Sequence, residues 1–171
     1  AALYDNTTGT DNAAFGIGAL ANNTTGSYNT ASGVATLYNN TTANNNTAVG
    51  FQAGYNTTGT SNTFLGINAG YINTTGEYNT FVGRSAGLLT TGSANTFVGG
   101  YDVSTGGSGS EITTGSNNTI IGAYNGNQGG LDIRTASNNI VLSDGDGASR
   151  FVSQGSSSLQ LLGGPRGGLS N

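Results

Sequence analysis

The chain lacks several of the residue types on which enzymes, metal sites and disulfide-bonded proteins depend. It contains no cysteine, histidine, methionine, tryptophan or lysine, and it has a single proline. Without cysteine and histidine there is no disulfide framework, no Cys/His zinc site, no thiol nucleophile and no imidazole base. We therefore predict that the protein is not an enzyme and that it holds no metal and no cofactor.

Charged residues and long apolar runs are also scarce. Four arginines stand against eight acidic residues, which leaves a formal net charge of −4. Because so few scattered cations cannot neutralise a row of phosphates, we expect no nucleic-acid partner. The longest weakly polar stretch, residues 13–21, is nine residues long. A membrane-spanning helix needs roughly 20 such residues, so we expect no membrane insertion.

Glycine, asparagine and threonine dominate the composition and recur in a fixed order. The 31 glycines, 23 asparagines and 25 threonines make up 79 of the 171 residues. In seven copies a marker asparagine is followed four positions later by glycine, and successive markers are 16 or 17 positions apart, with one interval of 23. A Thr-Thr-Gly segment recurs in the same phase, which identifies an array of internal repeats. The marker asparagines are Asn12, Asn29, Asn46, Asn62, Asn79, Asn95 and Asn118.

The repeat predicts a β-solenoid in which each copy is one coil. A period of about 17 residues is too short for a pair of helices, and the composition disfavours any helix. The unit Asn-Thr-Phe-Val-Gly at 79–83 reads as a short strand ended by glycine. The Asn-Thr-Thr-Gly segment is typical of a turn. We predict an all-β fold of parallel 16–17-residue coils, stacked about 4.8 Å apart.

Stacking of the coils places equivalent strand residues in two columns on opposite faces of the sheet. Both columns are mostly apolar, as expected for a strand that is buried on both sides. A thin coil can bury only one face in its own interior, so we predict that another copy of the chain covers the other face. A monomer with a broader coil interior is the alternative. The predicted core and intersubunit columns contain Val49, Phe64, Leu65, Phe81, Val82, Phe97, Val98, Ile120 and Ile121.

The phase of the repeat divides the chain into two parts. We assign residues 1–124 to the repeat array, with an insert at 101–112 that accounts for the one long interval between markers. We expect this insert to leave the stack as a loop. Residues 125–171 are predicted to form an irregular β extension, with a degenerate strand unit at 138–142, and a Gly-rich C-terminal tail.

The units at 46–54 and 73–83 resemble the head repeats of trimeric autotransporter adhesins, and they are still more similar to the longer version of these repeats in bacteriophage tail fibres. The resemblance covers residues 3–124, although the adhesin repeat is typically shorter. Residues 130–147 look like a tail-fibre segment that precedes an intramolecular chaperone domain. The resemblance implies a left-handed parallel β-roll in which three chains intertwine as a homotrimer around one axis.

The same resemblance implies a function in host attachment. The protein would be an extracellular tail-fibre segment of a virion that presents binding surfaces for a host-cell glycan or protein in several copies. One alternative is the head of a bacterial trimeric adhesin on the cell surface. A second alternative is a structural filament or shaft without receptor contacts, and a third is an ice-binding face made of threonine columns.

The insert and its flanks carry the candidate receptor contacts. Tyrosine has an apolar face and a polar tip that suit it to sugar rings, and the tyrosines best suited to this role are Tyr28, Tyr55, Tyr71, Tyr78, Tyr101 and Tyr124. Tyr101 and Tyr124 are preferred because they flank the insert. Asp102 and Glu111 lie within it and complete the predicted receptor set. The two acids could also be imagined as the pair of a glycosidase, but no other catalytic group accompanies them.

Two further features have competing interpretations. The sequence Asp-Gly-Asp-Gly at 144–147 could be a calcium loop, since a hard cation needs closely spaced carboxylates, or a solvated turn, since no distal glutamate follows. Tyr38, Tyr55 and Tyr71 share one register of the repeat. They could therefore pack on one another and not on a ligand.

Overall fold

The computed structural model describes residues 1–102, 106–155 and 157–160, and over these residues the chain is all-β without a helix. The residues of the Gly-rich tail from 161 onward lie outside the described part. The strands are β1 (Ala13–Phe15), β2 (Thr30–Ser32), β3 (Thr47–Val49), β4 (Thr63–Leu65), β5 (Thr80–Val82), β6 (Thr96–Val98), β7 (Tyr101–Asp102), β8 (Gly106–Gly107), β9 (Thr119–Ile121), β10 (Asn127–Gln128), β11 (Leu131–Asp132), β12 (Asn139–Ser143), β13 (Ser149–Gln154) and β14 (Ser157–Gln160).

Eight of these strands stack into one parallel sheet. Its order is β1-β2-β3-β4-β5-β6-β9-β12, and equivalent residues of neighbouring coils pair in register. The segments between the strands stack as well, for example through the bond from Leu37 N–H to Ala53 O at 3.0 Å. The predicted parallel β-solenoid is thus confirmed, with about seven turns of coils of about 17 residues.

The strands are short because the backbone enters the left-handed region on both sides of them. The residue before each marker asparagine has φ between 56° and 63°, in Tyr28 and Asn45 as in the other coils. At the far end, Gly66 has φ +137°, and an added Cβ there would lie 2.5 Å from Gly83 O. Only glycine tolerates both the conformation and this close approach.

Two interior positions, six residues apart, combine one large and one small residue in several coils, whereas the coil of β3 has small residues at both, Ala48 and Gly54. The coil of β2 combines Ala31 with Leu37, whereas the coil of β5 combines Phe81 with Gly87, and all four residues are buried. An added Cβ on Gly87 would lie 2.4 Å from the Phe81 ring. The large side chain is therefore on the turn in early coils and on the strand in later ones, where Phe81 and Phe97 stack with centroids 4.9 Å apart.

The marker asparagines form a buried ladder of side-chain amides. Asn62 Oδ1 accepts the backbone N–H of Asn79 at 2.9 Å, and Asn62 Nδ2 donates to Gly76 O at 2.9 Å. Buried polar groups are costly unless they are hydrogen-bonded, and the ladder provides such partners at the entrance to each strand. It continues without a break through Asn12, Asn29, Asn46, Asn62, Asn79, Asn95, Asn118 and Asn139.

Coils of 16 and 17 residues differ in the residue type at one buried polar position. The longer coils have Asn23, Asn40 and Asn73 there, and all three are fully buried. The shorter coils have Thr57 and Thr90, which are also fully buried. Thr90 Oγ1 donates to Ile112 O at 3.0 Å. The shorter side chain thus accompanies the coil that is one residue shorter.

The predicted insert is only partly outside the stack. Strand β7 pairs antiparallel with β8, and residues 103–105 between them lie outside the described residues. The chain then rejoins the coil, because Ser108 O accepts the N–H of Gly87 at 2.9 Å and Ile112 is fully buried. The second half of the predicted loop at 101–112 therefore belongs to the solenoid.

Coil stacking also continues beyond residue 124, the predicted end of the array. Strand β12 pairs in parallel with β9, so the degenerate unit at 138–142 is a true member of the sheet. The other edge of β12 pairs antiparallel with β13, and β13 pairs antiparallel with β14. A small antiparallel hairpin, β10–β11, lies between the last two parallel strands in the chain.

Candidate interaction surface

The outward face of the parallel sheet carries a continuous row of mostly apolar side chains. In β4 the central residue Phe64 is buried and the next residue, Leu65, is exposed. In-register pairing places Leu65 between Val49 and Val82 of the neighbouring coils. We call the residues Phe15, Ser32, Val49, Leu65, Val82, Val98, Ile121 and Leu142 the outward row. At about 4.8 Å per coil the row is about 34 Å long.

In the single chain much of this row faces solvent. Phe15 is 69% exposed, Val49 42% and Ile121 49%. A second apolar row follows the strand-ending glycines, where Ile17, Val34, Phe51 and Ile67 are all exposed. Monomeric soluble proteins rarely expose contiguous apolar surface over such a length, and a surface of this kind typically marks an interaction site.

The predicted core and intersubunit columns separate into inner and outer sets. Phe64, Phe81, Phe97 and Ile120 are fully buried inside the coils. Val49, Leu65, Val82, Val98 and Ile121 lie in the outward row, where each is exposed or half-buried. Covering of the outer set by another copy stays a prediction.

The predicted receptor contacts do not form one cluster of exposed side chains. Tyr101 and Asp102 form β7, beside β8. Glu111 is half-buried, and its Oε1 accepts a hydrogen bond from Asn125 Nδ2 at 3.1 Å. This bond engages the carboxylate within the protein.

Tyr124 is the predicted receptor residue whose environment differs most from the expectation. Its side chain is fully buried, and its hydroxyl donates to Leu131 O at 2.9 Å. Burial, together with the carboxylate of Asp132, holds the pKa of the Tyr124 phenol well above its ordinary value. Because the ring faces the interior, this placement disfavours the predicted receptor contact.

The remaining tyrosines fall into two groups. Tyr38, Tyr55 and Tyr71 stack on one another with ring centroids 5.2 Å apart, so they pack along the solenoid as their shared register suggested. Tyr28 and Tyr78 are 61% and 64% exposed. The sequence included both among the tyrosines suited to sugar rings but placed the predicted receptor contacts around the insert. Both stand directly before a marker asparagine.

The carboxylate of Asp144 is engaged in a turn and an ion pair. Its Oδ1 accepts the N–H of Ala148 at 2.9 Å, and its Oδ2 accepts from Arg150 Nε at 2.9 Å. The Arg150 guanidinium lowers the pKa of Asp144. These contacts favour the solvated-turn interpretation of 144–147. Within the described ranges no three potential metal ligands among His, Cys, Asp and Glu lie together.

A second ion pair lines a shallow open groove. Arg134 Nη2 and Asp132 Oδ2 are 2.7 Å apart, and Thr113 and Thr135 complete the lining. The hydrogen bond from Arg134 lowers the pKa of the Asp132 carboxyl. Both charged side chains are about half exposed, and each is neutralised by the other.

Comparison with known proteins adds no assignment to this surface. No protein-family model matches the chain, and neither the curated proteins nor the solved structures provide a match. In the part of the chain that the structure describes, there is no helix with the length and apolar character of a membrane span.

Proposed function

We propose that this chain is a segment of an extracellular recognition fibre, part of a phage tail fibre that attaches a virion to its host cell. In this proposal three identical chains form a left-handed β-roll around a common axis. The outward row is the observation that carries the proposal. It is mostly apolar, it runs along the full parallel sheet, and in the single chain its side chains are exposed or half-buried.

A second copy of the same chain is the partner that best fits this row. The apolar side chains recur once per coil, at a repeat of about 4.8 Å. A flat or irregular partner would meet only some of them, whereas a parallel copy in the same register has the same repeat along its whole length. Symmetric association also explains how a chain with few apolar residues per coil obtains a shared core.

Native mass measured by light scattering on a sizing column tests the assembly. The expected mass of the homotrimer is three times the 17.0 kDa of one chain. A mass of 17.0 kDa at all concentrations would contradict the proposed assembly and would return the monomeric solenoid to consideration.

Attachment is tested separately, by binding of the fluorescently labelled protein to bacterial cells and to a glycan array. Several copies on one fibre add avidity to a weak individual contact, so the oligomer is expected to stay bound during washing. If a trimer forms but binds no cell and no glycan, the segment is a shaft and the recognition function is wrong. The same experiment thereby separates recognition from the structural alternative.

A further inference from the structure

Two exposed tyrosines occupy the same position in different coils. Tyr28 and Tyr78 each stand one residue before a marker asparagine, and both are more than half exposed. Their backbones are held by equivalent bonds, from Tyr28 N–H to Thr10 O at 3.0 Å and from Tyr78 N–H to Thr60 O at 3.2 Å. They are three coils apart, which corresponds to about 14 Å along the axis.

The fold itself does not favour tyrosine at this position. Tyr28 has φ 61° and Tyr78 has φ 58°, in the left-handed region that bulky side chains rarely adopt. Most other coils use small polar residues that accept this conformation more readily. The full set at this position is Asp11, Tyr28, Asn45, Ser61, Tyr78, Ala94, Asn117 and Asn138.

Packing also gives these tyrosines little reason to be present. Tyr38, Tyr55 and Tyr71 show how the solenoid uses aromatic rings for stability, because they stack on one another. Tyr28 and Tyr78 are too far apart along the axis to stack, and most of each side chain faces solvent. An exposed aromatic residue on a strained backbone is more consistent with binding than with folding.

We propose that Tyr28 and Tyr78 are the two stacking platforms of a site for an extended neutral polysaccharide that lies along the solenoid axis. This inference rests on the proposed attachment function and names the ligand class for it. The ring of tyrosine offers an apolar face to a sugar ring, and its hydroxyl remains available to water or to a sugar hydroxyl.

The residues between the two platforms suit a sugar chain. Asn45 and Ser61 occupy the same position in the two intervening coils, and both carry groups that donate and accept hydrogen bonds. At the preceding position, Asn44 Oδ1 accepts the N–H of Ser27 at 2.7 Å and Thr60 Oγ1 donates to Glu77 Oε1 at 3.3 Å, so the Asn44 amide nitrogen and the lone pairs of the Thr60 hydroxyl are the groups left for a ligand. Regular hydroxyl and amide groups between aromatic platforms match the alternating apolar faces and hydroxyls of a polysaccharide.

The charge of this surface favours a neutral glycan over an acidic one. Neither this position nor the preceding one has an arginine in any coil, and Glu77 is the acidic residue next to Tyr78. A sialylated or phosphorylated glycan would bring anions to two columns that contain no cation, on a protein of net charge −4. Recognition therefore depends on stacking and neutral hydrogen bonds.

The test uses the full chain and a double variant, Tyr28→Asn with Tyr78→Asn. Asparagine is the residue that Asn45, Asn117 and Asn138 already place at this position, so the variant is expected to fold with an unchanged or higher melting temperature. Tyr4→Asn is the matched control, because Tyr4 is 75% exposed but lies elsewhere on the coil. The probes are soluble dextran, mannan, galactan and arabinogalactan as neutral polymers, with polysialic acid as the acidic comparison.

We expect the natural chain to bind at least one of the neutral polymers. Loss of two stacking contacts is expected to weaken this binding by about tenfold or more, whereas Tyr4→Asn leaves it unchanged. Asn45→Tyr, which adds a third platform in the same column, is expected to strengthen it. Native mass is measured for every variant in parallel.

The outcomes separate this inference from the proposed function. A trimer that binds only polysialic acid, binds none of the polymers, or binds them equally well after the double substitution overturns the tyrosine site and leaves the fibre proposal standing. A double variant that loses its trimeric mass shows that the tyrosines belong to the subunit interface, which also overturns the site. A natural chain that is monomeric and binds no cell contradicts the proposed function itself.

Discussion

The marker asparagine both accepts and donates a hydrogen bond, a combination that no other residue type of similar size provides at this reach. In Asn62 the oxygen accepts the N–H of Asn79 in the next coil, and the amide nitrogen donates to Gly76 O within its own coil. An ionised aspartate has no donor, and alanine has neither group. The requirement for one donor and one acceptor at a fixed reach explains why asparagine recurs at this position in every coil.

Substituting Asn62 tests this dual role. Asn62→Ala leaves the N–H of Asn79 and the carbonyl of Gly76 without partners in a buried site, so we expect a loss of about 2 to 4 kcal/mol in the free energy of unfolding. Urea denaturation followed by circular dichroism measures the loss. If Asn62→Ala costs no more than an exposed Asn→Ala change such as Asn127→Ala, the ladder does not contribute to stability.

Asn62→Asp adds a pH signature to the same position. The carboxylate keeps the acceptor for Asn79 but loses the donor to Gly76 O, and burial raises the pKa of an aspartate. A group whose pKa is raised on folding favours the folded state at low pH, and this advantage is lost as the pH rises through the folded-state pKa. Asn62→Asp should therefore be closer to the natural stability at pH 4 than at pH 7. An identical deficit at both pH values would contradict the expectation.

Tyr124 gives a second pH-dependent prediction at the alkaline end. Its pKa is raised by burial, so its contribution to stability is present below the ordinary tyrosine pKa of about 10 and is lost as the pH rises above that value. Tyr124→Phe removes the bond to Leu131 O and should cost about 1 kcal/mol at pH 7. Unfolding curves at pH 7 and pH 11 should show that the difference shrinks or reverses at pH 11. A constant difference would show that the phenol does not ionise on unfolding.

At the scale of the coil, the interior is filled from the turn in some coils and from the strand in others; in the coil of β3, where Ala48 and Gly54 are both small, Leu37 and Phe64 of the neighbouring coils approach Gly54. Leu37 with Ala31 and Gly87 with Phe81 are two solutions for the same space, because the side chain from the turn and the side chain from the strand meet inside the coil. Leu37 has φ 49°, so this turn position accepts leucine despite its left-handed backbone. The two positions should therefore tolerate exchange as a pair better than either change alone.

The exchange can be made directly in the coil of β5. Phe81→Ala leaves a cavity and should cost about 3 to 5 kcal/mol. Gly87→Leu alone forces a side chain against the Phe81 ring and should also destabilise strongly. The double variant should lose less than the sum of the two, although it also loses the ring stack on Phe97. Additive losses, measured by thermal unfolding, would mean that the two sites are independent.

The strands β1–β6 and β9 were predictable from sequence because each follows a marker asparagine and is ended by a glycine. The two apolar columns, at Phe64 and Leu65 for example, follow from the alternation of side chains along a strand. The coupling between Phe81 and Gly87 is also visible in the sequence, but its meaning requires knowing that the two positions meet inside one coil.

Other features could not be derived from the repeat alone. Left-handed backbone is expected for glycine and asparagine, so Leu37 and Tyr28 in that conformation were not anticipated. The exposed Tyr28 was suited to sugar rings by its chemistry, but it stayed outside the predicted receptor set because that set was placed at the irregular insert. Tyr124 was predicted to lie on an exposed flank because the repeat is interrupted nearby. In the structure its ring is buried and its hydroxyl donates to Leu131 O. Contacts between parts of the chain that break the period leave no periodic signal.

At the scale of the whole molecule, one chain is organised around two apolar layers and buries one of them. The inner layer lies inside the coils, where each coil buries its own residue. This layer continues from Ala31 to Val141 through every intervening coil of the sheet. The outer layer has the same register and the same length, but its side chains are exposed or half-buried. A solenoid that gained nothing from the outer layer would be expected to carry polar residues there, as an antiparallel sheet with one solvated face does.

A charge placed in the outward row separates the stability of one coil from the stability of the assembly. Leu65 is 37% exposed in the single chain, so Leu65→Asp should leave the coil folded, as judged by circular dichroism. In the proposed trimer the same substitution would bring three carboxylates together at the shared axis, where their burial and mutual repulsion oppose association. We therefore expect the native mass to fall from three times 17.0 kDa to 17.0 kDa. Thr75→Asp, which adds the same charge at an exposed residue outside the outward row, should leave the mass unchanged. If both variants keep the trimeric mass, the outward row does not hold the chains together; if both lose it, the effect is one of net charge and not of this surface.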